Sequence, residues 1–261
     1  PSLQMEQVLD LDLVDYISYG EGEETWLEMM NALESGRPFS EIQGLAYKED
    51  GKVVVTPCRK FADLRDMPVS DYTLIDPPKY MQTYLGCKKM MYIYSAKGCP
   101  CRCAFCSNMN FHKSTYRKRP NEYVLEEIRY LIENHGADGF FFSDELWVVK
   151  REDLVDFCEK VHESGLKFQW GIELRIGMFG EEEYQMLYDA GCRWIFFGIE
   201  TGSKEMQKIV HKNIDYSKIA PTFEILNRIG ITTIGSFIIG FPNETVDQLR
   251  DTVKLLNTVK A

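Results

Sequence analysis

The chain has 261 residues, 44% of them hydrophobic and 27% charged, which suffices for one large α/β domain or for one domain with a small appendage. Its formal net charge of −10 argues against a protein whose main partner is a nucleic-acid backbone. No stretch approaches the roughly 20 consecutive apolar residues that span a bilayer, and the opening residues lack the pattern of a secretory signal peptide.

Residues 1–86 are predicted to form a small N-terminal α/β segment. An apolar run at residues 14–19 indicates a strand, and the stretch after it indicates a helix that ends near Gly36. Two alternating runs on either side of Asp50 and Gly51 predict a β-hairpin, and the proline-containing stretch "PVSDYTLIDPPKY" predicts a linker. One strand–helix unit and one hairpin bury little core alone, so we expect this segment to depend on a larger neighbour.

From residue 90 onward, short apolar strands alternate with helical segments. The strands are continuously apolar, as expected when both faces of a parallel sheet are covered. They are predicted at residues 90–96, 139–144, 168–174, 194–200 and 232–240, with helices near 120–134, 150–164, 181–190, 217–229 and from 244. Five β/α units in order predict an α/β fold, a partial TIM-type (β/α) barrel truncated after the fifth unit. The active site is then expected at the carboxyl ends of the strands.

Four of the eight cysteines lie within "GCPCRCAFCS", residues 98–107, directly after the first barrel strand. Clustered thiols in a chain without a secretion signal indicate a reducing, cytoplasmic location, where they bind metal more often than they form disulfides. Three thiolates on one loop, from Cys99, Cys103 and Cys106, can hold three irons of a [4Fe–4S] cluster and leave the fourth iron open. Structural zinc is an alternative, with Cys101 or His112 as a fourth ligand, although ligation by Cys101 requires a cramped loop.

Other conspicuous residues are interpreted as structural. The basic cluster of His112-Lys113 and Arg117-Lys118-Arg119 follows the cysteine loop and is interpreted as a solvated helix entry. Cys158 lies in a helical pattern and Cys192 at the entry to a strand, so both are interpreted as ordinary core cysteines.

The Cys-x3-Cys-aromatic-x-Cys spacing, with Phe105 as the aromatic residue, resembles that of the radical S-adenosylmethionine enzymes. In that family the open iron is chelated by the amino and carboxylate groups of S-adenosylmethionine, and reduction of the cluster yields a 5′-deoxyadenosyl radical. The resemblance implies Cys99, Cys103 and Cys106 as cluster ligands and Cys101 as a bystander. It also implies a reductant, such as flavodoxin or ferredoxin, as a partner.

Polar residues at later strand ends agree with this resemblance. The stretch "FFFSDE" offers Ser143, Asp144 and Glu145 for the methionine amino end, although the family's usual Gly-Gly-Glu form is absent. Glu173 in "WGIELR" and Glu200 in "FFGIETGS" resemble positions that hold the adenosyl ribose in the coproporphyrinogen-dehydrogenase-like branch. Carboxylates suit that role because ribose hydroxyls are donors that need acceptors.

The resemblance also implies which residues bind the methionine carboxylate and the adenine of the cofactor. Lys212 matches the basic position that pairs with the methionine carboxylate, and Arg175 is a second candidate. The stretch "SFIIGFPNET" resembles the family's Gly-Phe-Pro-Gly-Glu-Thr signature, which cradles adenine with backbone groups. The cradle here would consist of Gly240, Phe241 and Pro242. Asn243 replaces the signature's second glycine, and asparagine tolerates the left-handed conformation better than most residues.

The N-terminal segment resembles the stretch that links a cobalamin-binding Rossmann domain to the radical barrel. The resemblance is carried by residues 20–57 and by "DLRDMPVSDYTLID". It implies that residues 1–86 are the C-terminal remnant of such a domain plus a hairpin and linker, and that residues 87–261 are the radical barrel core. The Asp-x-His-x-x-Gly motif of cobalt-ligating domains is absent. We therefore expect cobalamin in the full-length protein rather than on this part of it.

The resemblance as a whole implies an enzyme of the cobalamin-dependent class that methylates, or otherwise transforms by radical chemistry, a small-molecule or peptide substrate. One alternative is a methylthiotransferase-like enzyme, although the acidic charge argues against RNA as its substrate. Another is a non-catalytic zinc-binding or iron–sulfur-binding module.

Overall fold

The computed structural model describes residue 2 and residues 4–259. The chain forms two compact units. The first, called the N-terminal unit, contains the residues up to Met67 together with Ser107–Lys113, and the second, called the barrel unit, contains Pro68–Cys106 and the residues from Ser114 onward. No helix among the described residues is both long enough and apolar enough to cross a membrane. The domain division at residue 86 stays a prediction.

The N-terminal unit contains a small antiparallel sheet. Its elements are α1 (Met5–Asp10), β1 (Tyr16–Ser18), α2 (Glu23–Ser35), β2 (Leu45–Glu49), β3 (Lys52–Val55) and α3 (Asn108–Phe111). The strands pair in the order β1-β2-β3. The predicted hairpin is confirmed, since Asp50 and Gly51 have φ angles of +50° and +72°, as a tight two-residue turn requires. The short helix α1, in which only Leu9 is buried, was not predicted.

The barrel unit repeats strand and helix in the predicted order. Its strands are β4 (Gln82–Tyr84), β5 (Cys87–Ile93), β6 (Ala96–Lys97), β7 (Arg117–Lys118), β8 (Gly139–Phe142), β9 (Gln169–Leu174), β10 (Cys192–Glu200) and β11 (Thr232–Phe237). Its helices are α4 (Asn121–His135), α5 (Arg151–Ser164), α6 (Glu181–Asp189), α7 (Lys204–Ile209), α8 (Ile219–Ile229) and α9 (Val246–Thr258).

A six-stranded sheet in the order β11-β10-β9-β8-β5-β4 forms the framework of this unit. The neighbours from β5 to β11 pair in parallel, and β4 adds an antiparallel strand at one edge. The predicted partial (β/α) barrel is thereby confirmed. The edge strand β4 was not predicted because its three residues are all exposed and carry no apolar pattern.

Buried aromatic side chains support the ends of the central strands. Phe142 ends β8 and lies against Trp147, Phe157 and Trp170, with ring centroids 5.6 to 6.1 Å away. All four side chains are fully buried. Burying each one contributes about 1.5–3 kcal/mol, so the strand ends rest on a rigid base.

The boundaries differ from the prediction where loops begin at the carboxyl edge of the sheet. Strand β5 ends at Ile93 instead of residue 96, and β11 ends at Phe237 instead of residue 240. Helix α9 starts at Val246, where the Thr245 hydroxyl accepts a hydrogen bond from Gln248 N and the Gln248 side chain accepts one from Thr245 N. The residues released from both strands form the loops described below.

Candidate functional site

The cysteine loop, residues 98–106, follows the carboxyl end of β5 through the two-residue strand β6. Cys103 is buried, Cys99 and Cys101 are half-buried, and Cys106 is exposed. None of these four cysteines is in a disulfide. The loop therefore presents sulfur atoms at the edge of the sheet where β/α-barrel enzymes carry their chemistry.

Two contacts fix the middle of this loop to other parts of the barrel unit. Ala104 N donates to the carbonyl oxygen of Val210, the residue after α7, at 2.9 Å. The ring of Phe105 packs on Phe241, with centroids 5.6 Å apart. The aromatic residue of the cysteine motif thus contacts the aromatic residue of the "GFPN" turn, which the sequence did not predict.

Positive charge lies beside the half-buried thiols. Arg175 Nη1 is 3.5 Å from the sulfur of Cys101. A hydrogen bond from Cys99, together with the charges of Arg175 and Lys212, lowers the pKa of Cys101 to about 6. The same Cys99–Cys101 hydrogen bond raises the pKa of Cys99, and burial raises that of Cys103. The positive charges and the hydrogen bond thus favour the thiolate form of Cys101, whereas Cys99 and Cys103 favour the thiol.

The donor set fits an iron–sulfur cluster. Soft thiolates on one loop are the ligands that such clusters take. Among residue 2 and residues 4–259, no three His, Cys, Asp or Glu side chains are grouped so as to hold one metal ion. Thiolates that bind separate irons of one cluster do not need such convergence. Cys99, Cys103 and Cys106 could serve as three ligands, with Cys101 held by Arg175.

A buried ion pair occupies the carboxyl end of β10. Lys212 Nζ lies 2.9 Å from Glu200 Oε1, and both side chains are about nine-tenths buried. Glu200 has a φ of +69° at a bulge in the strand. A Cβ atom on Gly198 would lie 2.3 Å from the Glu200 carboxylate and 2.7 Å from Lys212 Nζ. Gly198 is therefore the residue that leaves space for the pair.

Two further predicted residues surround this ion pair. Arg175 donates a hydrogen bond from Nη2 to the carbonyl oxygen of Lys212, which links β9, β10 and the cysteine loop through charged groups. Glu173, at the end of β9, has an exposed side chain. Desolvation of its carboxylate by the surrounding protein raises its pKa, and the nearby charge of Lys212 opposes the rise.

The residues after β8 differ in their surroundings. Asp144 is buried and accepts hydrogen bonds from Ser95 N at 2.8 Å, Ser95 Oγ at 2.6 Å and Ala96 N at 3.0 Å. Burial raises its pKa to about 7, and these hydrogen bonds oppose the rise. Glu145 is exposed and accepts from Gly98 N at 3.0 Å. The Ser143 side chain is exposed. Asp144 thus fixes the backbone ahead of the cysteines.

The "GFPN" turn adopts the conformation that the glycine-containing signature would adopt. Gly240 has a φ of +90° and Asn243 a φ of +64°, so asparagine takes the left-handed conformation as expected. Phe241 is buried in a cluster with Met206 and Val210, whereas Gly240 and Pro242 are exposed. The buried ring holds the turn, and the exposed residues leave its backbone accessible.

The interpretation of the basic cluster as a solvated helix entry is wrong for two of its residues. Arg119 is 2% exposed and pairs with Glu127 at 2.8 Å while donating to the Tyr94 carbonyl at 2.7 Å. Tyr72 donates to the same carboxylate at 2.5 Å. His112, in the N-terminal unit, is buried with Nδ1 3.3 Å from a Glu21 carboxylate oxygen. Buried acidic partners explain both differences: Glu21 is distant from His112 in sequence, and Glu127 lies on the helix that follows Arg119.

The fold is a parallel half-barrel. A thiolate loop follows its first parallel strand, and charged side chains lie at the ends of the following strands. These features are typical of iron–sulfur β/α-barrel enzymes. The sequence profile of the radical SAM superfamily matches residues 93–256. The chain belongs to this superfamily.

Curated relatives cover almost all of the chain. An uncharacterised methyltransferase of Pyrococcus horikoshii is 30% identical over 242 residues, which are 92% of this chain and 52% of that protein. The anaerobic magnesium-protoporphyrin IX monomethyl ester cyclase of Rubrivivax gelatinosus is 31% identical over 249 residues, 93% of this chain and 44% of that protein. The chain thus spans about half the length of these relatives.

Solved structures share the fold. The radical S-adenosylmethionine methyltransferase TsrM of Kitasatospora setae, with tryptophan and a cofactor analogue bound, matches with a TM-score of 0.76 at 18% identity, covering 97% of this chain and 51% of that chain. The cobalamin-dependent radical enzyme OxsB, with aqua-cobalamin and S-adenosylmethionine bound, matches with a TM-score of 0.80 at 18% identity, covering 98% and 38%.

Proposed function

We propose that this chain is the catalytic core of a radical S-adenosylmethionine enzyme. The observation that carries the proposal is the loop of four closely spaced cysteines at the carboxyl end of the first parallel strand, none of them in a disulfide, anchored at Ala104 and Phe105. Cys99, Cys103 and Cys106 would ligate a [4Fe–4S] cluster. When bound, the cluster supplies the electron that cleaves S-adenosylmethionine into methionine and a 5′-deoxyadenosyl radical.

The strand-end residues would bind S-adenosylmethionine by complementary charge. Lys212 is the cation available to the methionine carboxylate, and its present partner Glu200 would accept from a ribose hydroxyl. Glu173, exposed beside Lys212, supplies a second acceptor. Arg175 orients the pair through the Lys212 carbonyl.

The methionine amino group and the adenine would lie on opposite sides of Lys212, Glu200 and Glu173. Ser143 and Glu145 are the exposed polar residues after β8, and we assign the amino group to them. Asp144 would act indirectly, because its carboxylate is taken up by Ser95 and Ala96. The turn of Gly240, Phe241 and Pro242 would cradle adenine, with Gly240 and Pro242 as its exposed residues and the buried Phe241 ring as its support.

The overall reaction of the full protein would be a methylation or a related radical transformation, with cobalamin as a further cofactor. The methyltransferase names of relatives and the cobalamin-dependent structural neighbours support this proposal. Residues 1–86 would be the end of a cobalamin-binding domain. The substrate would be a small molecule or peptide, and the free clustered thiols support a reducing, cytoplasmic setting.

A second candidate reaction is methylthio transfer. A putative methylthiotransferase of Methanocaldococcus jannaschii is 27% identical over 240 residues, 89% of this chain. Both candidates would use the cluster and S-adenosylmethionine, but methylthio transfer delivers a sulfur atom together with the methyl group and therefore also needs a sulfur source.

Anaerobic reconstitution with iron and sulfide tests the proposal. We expect about four irons per chain, the number in one [4Fe–4S] cluster, and formation of 5′-deoxyadenosine when dithionite and S-adenosylmethionine are added. Cys103→Ala should lose both the full cluster and this product. Tight binding of one zinc by the wild type, or a Cys103→Ala variant with a full cluster and undiminished product, would refute the assignment.

A further inference from the structure

Glu200 lies in a strained turn at the carboxyl end of β10. Its φ is +69°, and Thr201 N donates a hydrogen bond to the carbonyl oxygen of Ile199 at 2.9 Å. A hydrogen bond between residues i and i+2, across a central residue with positive φ, is the pattern of the rare and strained kind of γ-turn. A residue other than glycine keeps such a conformation only where its surroundings hold it. Contacts beside the turn must therefore hold Glu200 in place.

The side-chain amide of Gln207, on α7, holds both sides of this turn. Its Nε2 donates to the Ile199 carbonyl oxygen at 2.8 Å and to the Thr201 carbonyl oxygen at 3.2 Å. Both acceptors are carbonyl oxygens, so the nitrogen of the amide faces them, and its two hydrogens allow both bonds at once. Gln207 is 3% exposed, so these bonds are made away from bulk water.

The main chain of Gln207 also contacts the other member of the ion pair. Its carbonyl oxygen accepts from Lys212 N at 3.0 Å, and the Lys212 ammonium lies 2.9 Å from Glu200 Oε1. One residue thus fixes the backbone beside the carboxylate and the backbone beside the ammonium. Because side-chain direction follows the backbone, the direction of the Glu200 carboxylate depends on these contacts.

We infer that Gln207 is a positioning residue for cofactor binding, which holds Glu200 in the turn and so directs its carboxylate. The inference rests on the proposed function, in which Glu200 accepts from a ribose hydroxyl of S-adenosylmethionine. Gln207 acts through the backbone of the turn and does not bind the cofactor itself. A hydrogen bond to a carboxylate depends on distance and angle, so a displaced Glu200 weakens the contact with the ribose.

A comparison of two ligands separates this positioning role from a general structural role. The first ligand is S-adenosylmethionine, and the second is its 2′,3′-dideoxyadenosyl analogue, which lacks both ribose hydroxyls. The variant Gln207→Met keeps the length of the side chain but removes both donors. In the reconstituted protein without reductant, we expect it to weaken S-adenosylmethionine binding by about 5- to 10-fold. Equilibrium dialysis should show a change of less than about 2-fold for the analogue, which has no hydroxyl for Glu200 to accept from.

The matched control is Gln248→Met. Gln248 is another buried glutamine of the barrel unit, 8% exposed, and its Nε2 donates to Glu205 Oε2 at 3.0 Å rather than to the turn. This variant should leave the ratio of the two affinities unchanged. Equal weakening of both ligands in Gln207→Met, or no weakening of either, would overturn the inference.

A double-mutant cycle tests whether Gln207 acts through Glu200. In a Glu200→Ala background, Gln207→Met should weaken S-adenosylmethionine binding by less than about 2-fold, since the carboxylate that it positions is already absent. Losses of affinity that add in full would contradict the inference, because Gln207 would then act by another route.

Tyr216→Phe makes a milder change to the same turn. The Tyr216 hydroxyl donates to the Thr201 carbonyl oxygen at 2.7 Å, so phenylalanine removes one hydrogen bond from the turn. Binding of S-adenosylmethionine should weaken by about 2- to 3-fold, with the analogue unaffected. This variant carries the test if Gln207→Met does not fold, and an unchanged affinity ratio would then overturn the inference.

Hydrogen exchange distinguishes failure of the inference from failure of the proposed function. The Thr201 amide is buried and bonded across the turn. Without S-adenosylmethionine, it should exchange at least about 10-fold faster in Gln207→Met than in the wild type or in Gln248→Met. Unchanged exchange would refute the inference whatever the ligands do. If the wild type binds both ligands equally, the ribose assignment in the proposed function fails, and faster exchange would still establish that Gln207 holds the turn.

Discussion

The two ends of the parallel strands in the barrel unit use the same residue types for different purposes. At the amino end, Asp138 accepts from Lys88 N and Lys89 N, at 3.0 and 2.8 Å, and Cys87 is buried in an apolar cluster. At the carboxyl end, Asp144 makes the same kind of bonds, but Glu173 and Cys106 remain exposed. The amino end uses its carboxylate and thiol for structure, whereas the carboxyl end leaves some of both exposed.

Removing one thiol at each end of the strands should give the largest difference between the two ends. We expect Cys106→Ala to lose the full cluster, because it removes a proposed iron ligand. Cys87→Ala should keep all the iron and lose only stability, about 1 kcal/mol for a small buried group. Iron and sulfide analysis after reconstitution, with thermal unfolding, measures both. Equal iron content in the two variants would contradict the assignment.

Replacing one glycine by alanine at each end of the strands should give the next largest difference, measured as cofactor affinity. Gly198→Ala places a Cβ on the Glu200–Lys212 pair, so the pair must move. We expect S-adenosylmethionine affinity to fall by about 10-fold or more, as for the loss of one charged hydrogen bond, with the iron content unchanged. Equilibrium dialysis of the reconstituted protein measures the affinity.

The matched control for that variant is Gly165→Ala. Gly165 follows α5 with a φ of +68° and has open space around it. Alanine there should reduce the free energy of unfolding by about 1 kcal/mol and leave cofactor affinity alone. Undiminished affinity in Gly198→Ala would show that the ion pair does not contact the cofactor.

The dependence of stability on pH gives a third difference between the two ends. Burial raises the pKa of Asp144 to about 7, so the folded protein keeps a proton that the unfolded chain, with a pKa of about 3.9, releases. This contribution to stability is complete below about pH 4 and is lost as the pH rises through about 7. Between pH 5 and 8 its loss is on the order of 2 kcal/mol.

Urea unfolding at both pH values, followed by tryptophan fluorescence, measures this loss. Asp144→Asn cannot titrate, so its free energy of unfolding should fall less between pH 5 and 8 than that of the wild type. Asp138→Asn should keep the wild-type dependence. An unchanged dependence in Asp144→Asn would mean that the buried carboxylate is already ionised at pH 5.

The features predicted from the sequence are those set by local chemistry. The Asp50-Gly51 turn, the left-handed Asn243 and the alternation of apolar strands with helices depend on residues close together in the chain. The thiolate loop likewise lies within eight residues of sequence, from Cys99 to Cys106. The order of the β/α units placed the thiolate loop at the carboxyl end of the parallel strands.

The features that sequence reasoning missed depend on residues far apart. Tyr72 and Glu127 are 55 positions apart, and burial of Arg119 requires both of them to be folded beside it. Asp144 was assigned to the cofactor, but its hydrogen bonds to Ser95 become visible only when β5 and β8 are paired. Nothing in the sequence indicates why residue 198 is glycine. The structure shows the reason, because a Cβ there would meet the Glu200–Lys212 pair.

The bond between Ala104 N and the Val210 carbonyl oxygen involves main-chain atoms alone. Every amino acid except proline offers that donor, so mutation at position 104 or 210 leaves the anchor chemically intact. The bond does not depend on which side chains lie around it, although the Phe105 ring holds the loop separately through Phe241. Descendants of this sequence could therefore exchange Arg102 or Lys208 while inheriting the same main-chain anchor.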